Sequence, residues 1–304
     1  MQATTRASDS ATLLIPALLL GGLLALIAGQ VGLLRLPETV TATGVVAPAT
    51  TLVPPRPFSY RAGGEFLRDG HPVEAPLIAV EAPAPLEITT FEISAADYAL
   101  CVADGGCAAA QPRRQGAGDV PVTGVSFEDA TAYAKWLSAA TGATWRLPTL
   151  EEWVFAAGEQ AVDPALLAAT DPTNPADRWL ALYVKEATLG TGGAQAMPVA
   201  RGTFGANTLG VADIDGPVWE WTSTCNSRTV LDADDNVLSR VESCGVKLLE
   251  GRHRTAMSYF IRDGRSGGCS VGAPPDNLGF RLVREPGWFE ALRHRIGALV
   301  RFAA

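Results

Sequence analysis

The sequence predicts a mixed domain of short helices and short strands, carried behind one apolar helix of membrane-spanning length. Three observations predict it. Residues 11–34 read ATLLIPALLLGGLLALIAGQVGLL, without a charge. Residues 121–158 hold two stretches with capping residues and an apolar face, the pattern of amphipathic helices. Short β-like runs, broken by proline over 76–93, lie beside them.

Residues 1–10 are a short N-terminus, expected in the cytoplasm. Residues 11–34 are long enough to cross ~30 Å of hydrocarbon as a helix. The rival reading is a cleaved signal peptide, but Ala25, Ala28 and Gly29 make no clean small-x-small site before a polar start. Arg6 and Arg35 flank the run, so the positive-inside signal is weak. A short cytoplasmic N-terminus makes the chain a single-pass inner-membrane protein with its main domain in the periplasm. Pro37, Pro48, Pro54, Pro55 and Pro57 make 35–57 an extended linker. The folded domain is then 58–285.

Ser94 caps a short helix, with Asp97 at its third position. Ser126 caps a second, whose first turn carries Glu128 and Asp129 at the positive dipole end. Ala130, Tyr133, Ala134 and Leu137 give it one apolar face, and Gly142 ends it. Thr149 with Glu152 is a capping box opening a third, with Trp153 and Ala157 inward. Residues 159–200 show no sustained period. Residues 201–222 are Gly-rich and loop-like, ending in an aromatic strand, and 279–285 reads as a short strand. Residues 286–304 form an amphipathic helix. Trp288, Leu292, Ile296, Leu299 and Val300 share a face beside Arg293, His294, Arg295 and Arg301. That helix lies on anionic lipid, docks a partner or packs on its own domain.

The composition excludes several functions. Hydrophobic residues are 47% and charged residues 18% of 304, so the chain can bury a core and is not disordered. With 24 Lys+Arg against 32 Asp+Glu, the net charge of −8 excludes a general nucleic-acid binder, which needs a basic face. Three histidines argue against a multi-His metal centre. Five cysteines include no C-x-x-C, so zinc-ribbon and thioredoxin readings fail. Cys101 and Cys107 sit close enough for a small disulfide loop. Cys225 and Cys244 bracket a polar excursion that needs a staple. Two such bridges suit an oxidising periplasm. Cys269 is left over, as a buried free thiol or as a reactive or metal-binding one.

Three separated segments then agree with one family. PVTGVSFEDATAYAKWLSAATGATWRLPTLEEW, ANTLGVADIDGPVWEWT and NLGFRLV stand in the order typical of formylglycine-generating enzymes, also called sulfatase-modifying factor domains. The chain resembles this family over about 90–285. The resemblance implies a compact α+β fold with low regular secondary structure, related to C-type lectins. It also implies a calcium staple held by Asp213, Gly216, Val218 and Glu220. Hard oxygens from one tight loop suit that ion. Pro217 replaces the family's usual Asn and restricts the residue before it. The Trp-Gly motif near the family's second calcium site is missing.

The resemblance places the family's copper(I) cysteine pair at Arg252 and Met257, around His253 and Arg254. Copper(I) wants soft thiolates, Arg cannot ligate a metal, and Met alone is a weak neutral ligand. No C-x4-C exists anywhere in the chain, so copper is not expected and formylglycine formation is disfavoured. The family's three-His iron branch needs an H-x3-H-x-E run that is also missing. Branches without either centre resemble periplasmic accessory proteins, one in siderophore maturation and one beside copper nitrite reductase.

The first functional expectation is an anchored accessory, maturation or partner-binding factor with a periplasmic or membrane protein partner. Its groove would be lined by Trp219, Trp221, His253, Arg254, Tyr259 and Arg262, since aromatic and Arg side chains anchor interfaces. The second is an oxidoreductase-type modifying enzyme with altered chemistry, using His253 for proton transfer and Cys269 as thiolate. The third is a structural subunit of a membrane complex.

Overall fold

The three expected helices form where their caps lie. In the computed structural model, α1 is Ala95–Ala103, with the Ser94 side chain accepting from the Asp97 N–H. The second helix, α2 (Phe127–Thr141), carries a full capping box between Ser126 and Asp129 and ends on Gly142 in the left-handed conformation. The third, α3 (Leu150–Ala157), carries the Thr149–Glu152 box. Four-residue local patterns fix these ends, which is why they are readable from sequence. The structure describes residues 45–287 apart from 82–83, 115, 117, most of 162–197, 215, 253 and 267–276. The expected anchor, 11–34, and the expected terminal helix, 286–304, lie outside the described residues except for 286–287. Among the described residues no helix is long and apolar enough to cross a membrane.

Among the described residues, three sheets hold the helices. The first orders β1 (Thr50–Val53), β6 (Leu86–Thr89), β12 (Val283–Arg284) and β7 (Trp145–Arg146). Strand β1 lies inside the stretch expected to be a linker, 35–57, which corrects that boundary. It pairs in register from Thr50↔Thr89 to Val53↔Leu86 and buries Val53 completely. As an edge strand it tolerates the prolines around it. A two-stranded sheet joins β2 (Phe58–Arg61) to β5 (Leu77–Val80).

The largest sheet carries the site. It runs β10 (Thr255–Ser258), β9 (Val237–Glu250), β8 (Val218–Leu231), β3 (Glu65–Arg68), β4 (His71–Val73), with β11 (Asn277–Gly279) also on β8. The polar excursion read between Cys225 and Cys244 is the outer part of the β8–β9 hairpin. Asp232 makes its turn by accepting from the Asp234 and Asn236 N–H groups. The pairing slips between Trp221 and Cys225 and again between Cys225 and Asn226, so the hairpin bulges where the disulfide lies.

The core fills the space between α1, α2 and the large sheet. Tyr98, Tyr133, Leu137, Trp221, Met257, Leu278 and Phe280 meet there. The predicted apolar face of α2 is the buried one. A second cluster joins α3 to the first sheet through Trp153, Phe155, Ile88 and Val53. Gly124 marks a close crossing. At φ +72° its Cβ would meet the Gln111 carbonyl carbon at 2.2 Å, so only glycine fits.

Candidate functional site

Strand β8 begins inside the molecule, with β9 on one edge and β11 on the other. Both its faces are covered there, so Glu220 is buried along with Trp219 and Trp221. A buried carboxylate needs partners. Arg281 supplies a guanidinium fork, Nε to Oε2 and Nη2 to Oε1 at 2.6 Å, and Trp153 Nε1 donates at 2.9 Å. Arg281 is itself fully buried and also donates to the Ala212 carbonyl at 3.1 Å. In the sequence Arg281 stands only as a member of the last strand motif, and nothing local marks this role.

Glu92 lies beside this pair. It is 1% exposed, and its Oε2 has no hydrogen-bond partner among the described residues. Burial, then the Glu220 charge, push its carboxyl up to about 8, so it holds a proton at neutral pH. Asp213 adds a third buried carboxylate. It sits at φ +59° and accepts from the Phe204 N–H at 2.9 Å and from the Gly202 N–H.

These residues fit a hard divalent cation in donor type and in charge. Two buried carboxylates, Asp213 and Glu220, face the one guanidinium, while Glu92, holding its proton, adds no charge and leaves its Oε2 without a hydrogen-bond partner among the described residues. Asp213 and Glu220 are already engaged by protein donors, and no group of three His, Cys, Asp or Glu among the described residues converges as a metal cluster. Any cation here therefore depends on the carbonyl oxygens of Gly216 and Val218 as well.

The positions matching the copper pair stand apart. Arg252 is half-buried in the turn after β9. Met257 lies on β10 opposite Lys247 and is 1% exposed, packed into the core. His253 and Cys269, the candidate catalytic groups, lie outside the described residues. Arg254 ion-pairs with Glu250 and donates to the Arg61 and Ala62 carbonyls at 2.9 and 3.1 Å. A small cavity of about 60 Å³ lies between Arg254, Glu250, Trp153 and Tyr60. The Tyr60 hydroxyl donates to Glu151, and burial first, then this bond, push it up to about 12.

The expected groove is not formed as expected. Trp219 and Trp221 belong to the core, and Trp221 Nε1 donates to the Val125 carbonyl at 2.8 Å. Arg254 is tied down as above. Arg262 forks onto Asp129, with Nη2 to Oδ1 at 2.7 Å. Burial alone would raise the Asp129 carboxyl; the Arg262 fork and the Ser126 backbone and hydroxyl outweigh it and hold it below the usual range. Tyr259 remains exposed, edge-on to the exposed Phe260 at 5.6 Å. A separate apolar cavity of about 370 Å³ lies against α1, walled by Tyr98, Val102, Pro112 and Val120.

Both expected disulfides form. Cys101–Cys107 closes the loop after α1, and Cys225–Cys244 bridges the bulge in the β8–β9 hairpin. Lys247, which no sequence motif marks, is buried next to the second bridge. Its Nζ lies 3.2 Å from Cys225 Sγ, donates to the Ser223 carbonyl at 3.2 Å and sits 4.7 Å from the Phe127 ring centre.

Residues 38–286 match the family described as sulfatase-modifying factor enzyme 1-like domain. The chain is 37% identical over 190 residues to the formylglycine-generating enzyme of Mycobacterium tuberculosis (strain ATCC 25618 / H37Rv), covering 55% of this chain and 58% of that one. It is 37% identical over 112 residues to the hercynine oxygenase of Mycolicibacterium smegmatis (strain ATCC 700084 / mc(2)155), covering 35% and 22%. It is 29% identical over 183 residues to the inactive C-alpha-formylglycine-generating enzyme 2 of Bos taurus, covering 58% and 56%. The matches thus span less than two thirds of these relatives. PvdO from Pseudomonas aeruginosa has a similar structure, with a TM-score of 0.49 at 22% identity over 79% of this chain and 95% of that one. On the match over 38–286, the chain belongs to the sulfatase-modifying factor enzyme 1-like domain family.

Proposed function

We infer that this chain is a non-catalytic maturation or partner-binding member of its family, anchored through residues 11–34 with its domain in the periplasm. One observation carries the reading. The positions that match the copper cysteines hold an arginine and a core methionine, so the soft thiolate pair that copper(I) needs is replaced by packing. A relative of 29% identity over 183 residues is named an inactive C-alpha-formylglycine-generating enzyme 2, which supports reading this chain as a member without that activity.

The partner surface is the exposed Tyr259–Phe260 pair beside the Arg262–Asp129 bridge, rather than the buried tryptophans. Two adjacent exposed aromatics beside a fixed charge pair have the composition of an interface anchor. Calcium, when bound, is held by Asp213, the Gly216 and Val218 carbonyls and Glu220, and supplies structural cross-linking of the 202–220 loop. Arg281 keeps Glu220 oriented, and Glu92 stores a proton against it.

The test is incubation of the full chain with copper(I), oxygen and a cysteine-containing sulfatase peptide, read by mass spectrometry. No aldehyde product is expected. Formation of formylglycine overturns the reading. The second reading, an oxygenase-type enzyme of altered chemistry, is favoured by the 37% identity to a hercynine oxygenase. It predicts turnover that is lost in His253→Ala or Cys269→Ala.

A further inference from the structure

The Cys225–Cys244 bridge differs from Cys101–Cys107 in what surrounds it. Cys101 is fully buried in the core at the end of α1, with no cationic group in hydrogen-bond contact with its sulfur among the described residues. Cys244 is exposed on the outer strand of the hairpin, and Cys225 is half-buried on the inner one. The ammonium of Lys247 stands 3.2 Å from Cys225 Sγ and, among the described residues, makes its hydrogen bond to that sulfur rather than to Cys244. The two sulfurs of this disulfide are therefore unequal. One is open to attack, and the other has a cation ready to take up negative charge.

That inequality is what thiol–disulfide exchange uses. A thiolate attacks one sulfur in line with the bond, and the other leaves as a thiolate, faster when its charge is stabilised. A cation beside a cysteine lowers the thiol's pKa. Lys247 is held in place to do this. Its ammonium is anchored by the Ser223 carbonyl and by the face of the Phe127 ring, so it keeps its position when the sulfur bond opens. Cys225 pairs with Lys247 and Asn226 with Ser243, so Cys244, Gly245 and Val246 bulge away from β8, while Val246 still pairs with Ser258 and the Gly245 carbonyl accepts from the Tyr259 N–H at 3.1 Å on the other edge.

The geometry points to Cys225–Cys244 as a thiol–disulfide exchange site for a reducing dithiol, with Cys244 the sulfur attacked and Cys225 the leaving thiolate beside Lys247. The dithiol's first thiolate bonds to Cys244 Sγ and the Cys225–Cys244 bond breaks, with its electron pair going to Cys225. The dithiol's second thiolate then attacks the mixed disulfide and releases Cys244 as thiolate. The dithiol ends as a disulfide, and its two electrons reside on the cysteine pair. Lys247 takes part as a positioning residue that acts through Cys225 and reacts with nothing itself.

The experiment treats the full chain briefly with glutathione, traps the mixed disulfide by alkylating the freed thiol before it can attack back, and locates the adduct by peptide mass spectrometry. The adduct is expected on Cys244; an adduct predominantly on Cys225 overturns the proposal. In parallel, the rate of reduction by dithiothreitol is compared between the wild-type chain and Lys247→Met, with Cys101–Cys107 in the same molecules reporting that the fold is intact. Lys247→Met is expected to slow opening of Cys225–Cys244 about fivefold or more, as loss of a stabilised leaving group requires. Lys247→Arg is expected to restore most of the rate. Equal rates in wild type and Lys247→Met overturn the role of Lys247. If Lys247→Met does not fold, the position of the adduct on the wild-type chain decides alone.

Discussion

Arg281 and Glu220 form a bidentate ion pair with no access to water, 61 residues apart in sequence and brought together by the meeting of β8 and β11. The same guanidinium reaches the Ala212 carbonyl and lies within 3.4 Å of the Thr89 and Thr90 carbonyls, so one side chain ties the large sheet to the first sheet. Breaking such a pair leaves an uncompensated buried charge. Arg281→Met is expected to lower unfolding free energy by about 3–5 kcal/mol, and Glu220→Gln by a similar amount. Urea denaturation followed by tryptophan fluorescence measures both. A loss below about 1 kcal/mol, the size for an exposed pair, would remove the pair from its central place.

The Asp129–Arg262 bridge predicts an acid limb to stability. The Asp129 carboxyl is held below its ordinary value, so the folded state binds its proton later than the unfolded chain does. The contribution is fully present above the unfolded value. It is lost as the pH falls from about 4 through the lower folded value. Arg262→Met should cost about 2 kcal/mol at neutral pH and flatten this limb. Denaturation midpoints measured from pH 6 to pH 2.5 test the slope. An unchanged slope in the variant would assign the acid limb to other carboxyls.

The two disulfides predict unequal losses. Removing Cys101–Cys107, six residues apart, should cost about 2 kcal/mol, and removing Cys225–Cys244, nineteen apart, about 3 kcal/mol. Paired Cys→Ser variants compared by thermal unfolding measure the difference.

If calcium is held at Asp213 and Glu220, chelation should lower the melting temperature by about 5–10 °C relative to a hundredfold excess of the ion over its dissociation constant. Asp213→Ala should abolish the response to calcium. A chelation-insensitive melting temperature would leave Arg281 and the Glu92 proton as the whole charge balance of the cluster.

How much of this was legible in the sequence depended on whether the information was local. The three helices were readable because Ser94, Ser126 and Thr149 each bond three residues ahead. The disulfides were readable because each pair brackets a short excursion. Strand β1 was hidden because its four residues sit among prolines that read as linker, and only pairing with β6 makes them a strand. The Trp219–Trp221 pair was placed in a groove because nothing local shows that β8 is covered on both faces. Glu92, Lys247 and the Arg281 fork were missed for the same reason. Each is a contact between segments far apart in the chain, and a buried lysine or glutamate looks like a surface residue until its neighbours are known.

The most direct test of the central claim is the copper and iron content of the full chain, measured by elemental mass spectrometry after copper(I) loading and dialysis. The account predicts neither metal above trace, because Arg252 and the buried Met257 leave no thiolate pair to hold copper. Near-stoichiometric copper or iron would contradict it and show that a catalytic centre survives in this domain.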